Sequence, residues 1–305
     1  MFEGYHPCGG LPPCGALARV ATATEPRLRL KAERARNHVL PFGEIWQSCI
    51  TPLVPASSHP FWSFIGYYCS FRPVHFHEFV LMFHIKICGV REVAGVEAVF
   101  KSGADAIGLN FYPPSCRFVD PEHSLTAGLA SKAGELGLTR VGVFVNSSVE
   151  IMLHVSERLK LEAVQLHGDE QAGIVSSLRD EGVTKLIRAI KLPVGPLTIQ
   201  EIEKRVDPWA SLGIHLILDA DGGKSHGGTG KTLDWVRIRQ WAEHCGDISW
   251  TLAGGLNPEN VAAAIKKSDA RSVDTASGVE AERGTKSASL MSHFSENALA
   301  ALRRS

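Results

Sequence analysis

"HIKICGVREVAGVEAVFKSGADAIGLNF", residues 84–111, holds two short β-rich runs with a helical stretch between them. The outer runs, 84–89 and 105–111, are apolar nearly throughout, the pattern of parallel strands covered on both faces. The middle, 91–103, places Val93, Val96, Val99 and Phe100 near one helical face, and Gly103 supplies a C-terminal stop. Strand, amphipathic helix and second strand together make one βαβ unit.

The same rhythm continues to the C-terminus. β-rich runs recur at 140–146, 163–167, 185–191, 214–220, 249–254 and 271–275, with plausible helices between them. Ser147 with Glu150 forms a capping-box pattern for a helix over 147–160. Asn257 and Pro258 suit the N-cap and first position of a helix over 257–269. Residues 232–245 space Leu233, Val236 and Trp241 at near-helical intervals, and Leu290, Met291 and Phe294 give 284–303 an apolar face. Eight β–α units predict an α/β fold, a (β/α)₈ TIM barrel. An open doubly wound sheet is disfavoured, because no GxGxxG follows the first strand.

Composition shifts near residue 83. The first 83 residues carry nine of the 16 prolines and four of the seven cysteines, without strand alternation or sustained helical spacing apart from one short candidate helix at 27–40. They read as an N-terminal extension, disordered or a non-native start, ahead of a barrel domain at 84–305. They lack the basic and apolar regions of a signal peptide. Cys69, His75 and His77 do not make a persuasive metal set. The odd cysteine count, with no CxxC pair, favours a reducing compartment and a cytoplasmic location. Lys+Arg and Asp+Glu are both 32, which gives no support to a nucleic-acid surface. No apolar run reaches the roughly 18–20 residues that span a bilayer.

In such a barrel, chemistry belongs at the C-terminal ends of the strands. Cys88 ends the first strand and Asp219 the sixth. A thiolate accepts a proton and a carboxylic acid donates one, so the two can form a base and acid pair. Either can equally be structural: a buried small side chain, or a carboxylate capping a turn. Lys86 shares a strand face with Cys88, where a cation can favour the thiolate. "LAGGLNPEN" (252–260) and "DTASGVE" (274–280) place Gly254, Gly255, Ser277 and Gly278 in the loops after the seventh and eighth strands, where barrels often hold phosphate. Arg117, after the second strand, is a candidate partner for a substrate carboxylate. His167 ends the fourth strand and is either a substrate contact or a loop anchor. "GGTGKT" (227–232) resembles a P-loop, but Ser225 stands where its first glycine belongs. The stretch 222–235, including His226, instead suggests a glycine-rich lid.

"KICG", "GADAIGLNFYPPSCR", "VQLHG", "LILDA", "GGTGKTLDW", "LAGGLNPENV" and "VDTASGVE", in this order, resemble the phosphoribosylanthranilate isomerase family from about residue 84 onward. The resemblance implies an Amadori rearrangement of N-(5-phosphoribosyl)anthranilate, in tryptophan biosynthesis, without metal or organic cofactor. It also implies Cys88 as general base, Asp219 as general acid, and Arg117 on the anthranilate carboxylate. Phosphate would sit over Gly254, Gly255, Ser277 and Gly278. The chain departs from the family pattern at Thr275 and Ala276, where "DVSSGVE" is usual, and at Ser287, where the last helix usually has an acidic cap.

Another phosphate-binding barrel enzyme of tryptophan or histidine biosynthesis is the rival reading, and a non-catalytic barrel sensing a phosphorylated metabolite is a second. Retention of both Cys88 and Asp219 argues against the sensor. The expected partner is a small phosphorylated substrate, and monomer and homodimer stay equally open. Met82 falls just before the first strand, so a chain begun there is expected to fold and act unaided. Circular dichroism and an activity assay of that shortened protein check this, and insolubility would overturn it.

Overall fold

The computed structural model describes residues 81–221, 232–246 and 248–303. The N-terminal extension up to residue 80 and the lid residues 222–231, His226 among them, lie outside the described residues. Eight parallel strands close into a barrel in chain order. They are β1 (Ile85–Cys88), β2 (Ala106–Asn110), β3 (Thr139–Phe144), β4 (Ala163–Leu166), β5 (Leu186–Pro193), β6 (His215–Asp221), β7 (Trp250–Leu252) and β8 (Val273–Thr275). β1 seals the ring by pairing with both β2 and β8. The helices are α1 (Val93–Ser102), α2 (Ser124–Glu135), α3 (Val149–Leu159), α4 (Ile174–Asp180), α5 (Ile199–Ala210), α6 (Trp235–Ala242), α7 (Val261–Ser268) and α8 (Ala288–Leu302).

Two hydrophobic clusters follow from the period-2 alternation of strand side chains. Ile85 and Ile87, Ile107 and Leu109, and Leu216 and Leu218 face outward and pack with the helices. Ala106, Val141, Ala163, Ile187, Ile217 and Ala253 face inward. Phe83 joins the inner cluster and closes the N-terminal end of the barrel, its ring edge-on to His215 at 5.8 Å between centroids. Asp105 fastens the entry of β1 by accepting the N–H of His84 and of Ile85, the latter at 2.8 Å. Both faces of most strand positions are buried, which accounts for the mainly apolar runs, and the polar residues that interrupt them, such as Lys86 and Asp219, lie on the inward face.

Several local expectations are corrected. α3 is capped by Ser148, whose hydroxyl accepts from the N–H of Ile151, and not by Ser147. Asn146 takes a left-handed conformation (φ 51), which turns the chain one residue later than the capping-box pattern implies. α7 starts after Asn260, not Asn257, because the two asparagines exchange backbone-to-side-chain hydrogen bonds of 2.9 Å each and lock residues 257–260 into a turn. In α6 the N-cap is Asp234, and Ile238 is buried where Val236 was expected, Val236 being exposed. Val93 and Phe100 of α1 also face outward, leaving Val96 and Val99 to the core. Ser287 does cap α8, accepting from Leu290. A small antiparallel hairpin, β9 (Glu280–Glu282) and β10 (Thr285–Lys286), occupies the loop after β8, so α8 starts at Ala288 and not at 284.

His215 is the polar member of the barrel floor. Its Nδ1 lies 2.7 Å from Ser249 Oγ and its Nε2 2.7 Å from Thr251 Oγ1. Burial, with the nearby Lys86 charge, lowers its pKa to about 4. The unfolded chain therefore binds a proton here that the folded one refuses, and the deficit grows as pH falls from about 6.5 to about 4. Thermal unfolding over that range is expected to show stability declining with falling pH. A His215→Asn chain is expected to lose that residue's share of the slope; an unchanged slope would overturn the assignment.

Candidate active site

The inward register of the strand tips builds the site. Lys86 and Cys88 on β1, Gln165 and His167 on and after β4, Lys191 on β5, and Asp219 on β6 share the parity of the inner cluster, so their side chains enter the barrel or its C-terminal mouth.

Below the mouth, Lys86 is fully buried and donates to Asp274 Oδ1 at 2.7 Å. Burial alone would lower the lysine pKa, but the Asp274 carboxylate, with Cys88 and Asp219 adding to it, raises it and favours the ammonium form. That fixed charge lies under both proposed reacting groups. Cys88 fits beside β2 because residue 108 is glycine: a Cβ there would stand 2.7 Å from the Cys88 sulfur. Burial pushes the Cys88 thiol up and the Asp274 carboxylate adds to it, opposed first by Lys86 and more weakly by Lys286 and Arg117. Asp219 is likewise pushed up by burial, against Lys191, the Ala220 N–H and Lys86. A carboxyl held above its ordinary range suits proton donation.

Asp219 has two polar neighbours, one on the adjacent β5 and one just past β4, the strand beyond it. Lys191 Nζ is 3.6 Å from its Oδ2 and His167 Nε2 is 3.7 Å away. Burial and the surrounding cations lower the His167 pKa to about 3, so the ring is neutral. His167 therefore stands at the mouth beside the acid, although it lies in "VQLHG" as a loop residue.

Arg117 is not free to swing. It donates through Nε and Nη2 to the two oxygens of Glu280, at 2.6 and 2.8 Å. Glu280 also accepts from Lys286 at 2.8 Å and from the Gly284 N–H at 3.0 Å, and these donors hold its pKa at about 2 despite burial. The arginine stem lies over Gly89, which has φ 78 and no room for a Cβ. Two glycines thus let the thiol and the guanidinium approach each other at one strand tip. With Nε and Nη2 on Glu280, Nη1 faces away from that carboxylate, and its two N–H donors have no partner among the described residues.

The phosphate-loop candidates are brought together. Gly254 and Gly255 have φ 80 and 69. Ser277–Val279 form one 3₁₀ turn, and a Cβ on Gly278 would collide with the carbonyl of Leu256 in the other loop. Thr275, one of the departures from the family pattern, donates its hydroxyl to that same carbonyl at 2.7 Å. It staples the β7 and β8 loops and is not a spare ligand donor. Cys116 is half-buried on the β2 loop, its carbonyl close to Gly284. Lys191, Glu280 and Lys286 were not singled out from sequence. Lys191 was legible as the next inward position after Ile187 and Ala189, whereas Glu280 meets Arg117 across 163 residues of sequence separation and Lys286 joins them through Glu280.

A sequence model of the family described as N-(5'phosphoribosyl)anthranilate (PRA) isomerase matches residues 85–297. The chain is 36% identical over 222 residues to an N-(5'-phosphoribosyl)anthranilate isomerase of a Ruegeria species, covering 71% of this chain and 97% of that one. It is 37% identical over 215 residues to that of Rhodospirillum rubrum, covering 69% and 94%. Among solved structures, phosphoribosylanthranilate isomerase of Thermotoga maritima superposes with a TM-score of 0.62 at 31% identity, covering 72% of this chain and all of that one. Another, in complex with reduced 1-(o-carboxyphenylamino)-1-deoxyribulose 5-phosphate, gives 0.60 at 30% identity with the same coverage. With the barrel, the order of the motifs and these relatives in agreement, the chain belongs to the phosphoribosylanthranilate isomerase family and is an isomerase of tryptophan biosynthesis.

Proposed function

We propose that the chain, through its barrel domain at 84–305, converts N-(5-phosphoribosyl)anthranilate to 1-(2-carboxyphenylamino)-1-deoxyribulose 5-phosphate, with Asp219 as general acid and Cys88 as general base. The observation that carries the reading is the shared inward placement of Cys88 and Asp219 at one mouth, above the buried Lys86. Asp219 donates its proton to the furanose ring oxygen. The C1–O bond breaks, and the anthranilate nitrogen lone pair forms an iminium. The iminium makes the C2 hydrogen acidic, and Cys88 as thiolate removes it. The C–H electrons form the C1–C2 double bond, and the former C=N pair returns to nitrogen. The enolamine then tautomerises: the C2 hydroxyl gives up its proton, its O–H electrons form the C2 carbonyl, and the C1–C2 π pair takes a proton at C1.

Both groups are pushed up by burial, which favours the proton-bearing form of the acid and leaves the thiol needing help. Lys86, Lys286 and Arg117 supply part of that help, and the cationic iminium adds to it once the ring opens. The Nη1 donors of Arg117 suit the anthranilate carboxylate, with Glu280 holding the guanidinium plane. Gly254, Gly255, Ser277 and Gly278 suit the phosphate, a ligand class supported by the liganded relative. The free thiols of Cys88, Cys116 and Cys245 fit a reducing compartment, and we read the protein as cytoplasmic. Among the described residues no helix is long and apolar enough to cross a membrane.

The test is the loss of fluorescence of freshly made phosphoribosylanthranilate. Cys88→Ala and Asp219→Asn are each expected to lower kcat by about 10²–10⁴-fold with the fold intact by circular dichroism. Arg117→Ala is expected to raise KM more than it lowers kcat. A wild-type rate equal to spontaneous decay would defeat the reading.

A further inference from the structure

We infer that Lys191 is a positioning residue for the Asp219 carboxyl, with its ammonium held in place by His167. The inference rests on the reading of Asp219 as the acid and concerns side chains that lie outside the roles given above.

β5 is the longest strand of the barrel, and β5 and β6 run side by side with Lys191 in direct register with Asp219. Register neighbours on a parallel pair point to the same face, so both enter the mouth. A lysine at a strand tip, almost half exposed (45% of its side chain), would ordinarily trail into water. This one does not, because a second strand supplies an anchor. His167 Nε2 is 3.3 Å from Lys191 Nζ, and an ammonium has only protons to offer. Nε2 must therefore be the lone-pair nitrogen, and Nδ1 carries the hydrogen.

The buried chemistry beneath agrees. His167 Nδ1 is 3.0 Å from the Gln165 side-chain amide, at the atom assigned as its nitrogen. The amide oxygen of Gln165 is buried and has no hydrogen-bond partner among the described residues. Amide nitrogen and oxygen are interchangeable by a half-turn of the group. With the oxygen towards His167, Nδ1–H donates to it, the orphaned acceptor is satisfied, and both contacts of the ring have consistent direction. The sequence of contacts then runs from Gln165 to His167 to Lys191 to Asp219, across three neighbouring strands.

What the ammonium does follows from what faces Asp219. From β5 comes Lys191, from β4 the neutral His167, from β1 the buried Lys86 already paired with Asp274, and from its own strand the Ala220 N–H. Burial favours the neutral acid, and Lys191 is the largest opposing influence. After the acid has given its proton to the ring oxygen, a carboxylate is left in a half-buried site. Lys191 stabilises that carboxylate and keeps Oδ2 turned towards β5, so the carboxyl returns to one orientation for the next turnover.

The experiment uses the full chain and the variants Lys191→Met and Lys191→Arg, each also combined with Asp219→Asn. Lys191→Met is expected to reduce kcat about fivefold, with KM within twofold, and Lys191→Arg to restore most of it. In the Asp219→Asn background Lys191→Met is expected to cost nothing further, because the group it acts through is gone. A second readout does not depend on catalysis: with ¹³C-labelled aspartate carboxyls, Asp219 is expected to titrate at higher pH in Lys191→Met than in wild type. An unmoved titration, a rise in KM at constant kcat, or an equal loss in the Asp219→Asn background would overturn the inference. Failure of the parent reading has a different signature, since Asp219→Asn alone would then leave the rate intact while the titration still shifted.

Discussion

The ion pair between Lys86 and Asp274 is the constraint around which the barrel's chemistry is arranged. It sits in the interior between the apolar floor and the mouth, with the lysine fully buried and its ammonium 2.7 Å from the carboxylate. Neither member tolerates loss of the other, because an unpaired charge at such depth typically costs about 3–5 kcal/mol. The pair also closes the ring physically, since Lys86 and Asp274 are register partners on β1 and β8. One interaction thus joins the first strand to the last and fixes a positive charge beneath the mouth. Cys88 and Asp219 both feel that charge, and in each it opposes the effect of burial.

Above the pair the mouth is a balance between desolvation and cations. Burial pushes the thiol and the carboxyl towards their neutral forms. The cations are held off by partners of their own: Lys86 by Asp274, Arg117 and Lys286 by Glu280, and Lys191 by His167. None is left to collapse onto Cys88, so its sulfur is not neutralised by a direct contact. The Glu280 carboxylate, with its pKa at about 2, stays charged throughout the working range and keeps the guanidinium oriented.

Much of the fold was legible in the sequence because its signals are local. Apolar runs of β type and their spacing gave eight strands in the right order, and Cys88 and Asp219 fell on tips of the same hand. Helix entry was less legible. Ser147 against Ser148, and Asn257 against Asn260, were decided by where the chain turns, and that depended on a left-handed Asn146 and on a reciprocal asparagine turn. Spacing alone also overstated apolar faces, since Val93, Phe100 and Val236 are apolar yet point to solvent. The hairpin Glu280–Lys286 was missed because two- and three-residue strands carry almost no periodicity.

The sequence by itself determined the barrel, the tips at which chemistry belongs and the family, because each is written in short-range pattern or in residue identity. Only the tertiary structure decided how those tips are equipped. Arg117 meets Glu280, which also holds Lys286, from a distant part of the chain, Lys86 finds Asp274 across the seam of the barrel, and Lys191 reaches Asp219 through strand register. The physical reason is the same in each case. Charge partners act over a few ångströms in space, and sequence separation says nothing of that distance until the strands are paired.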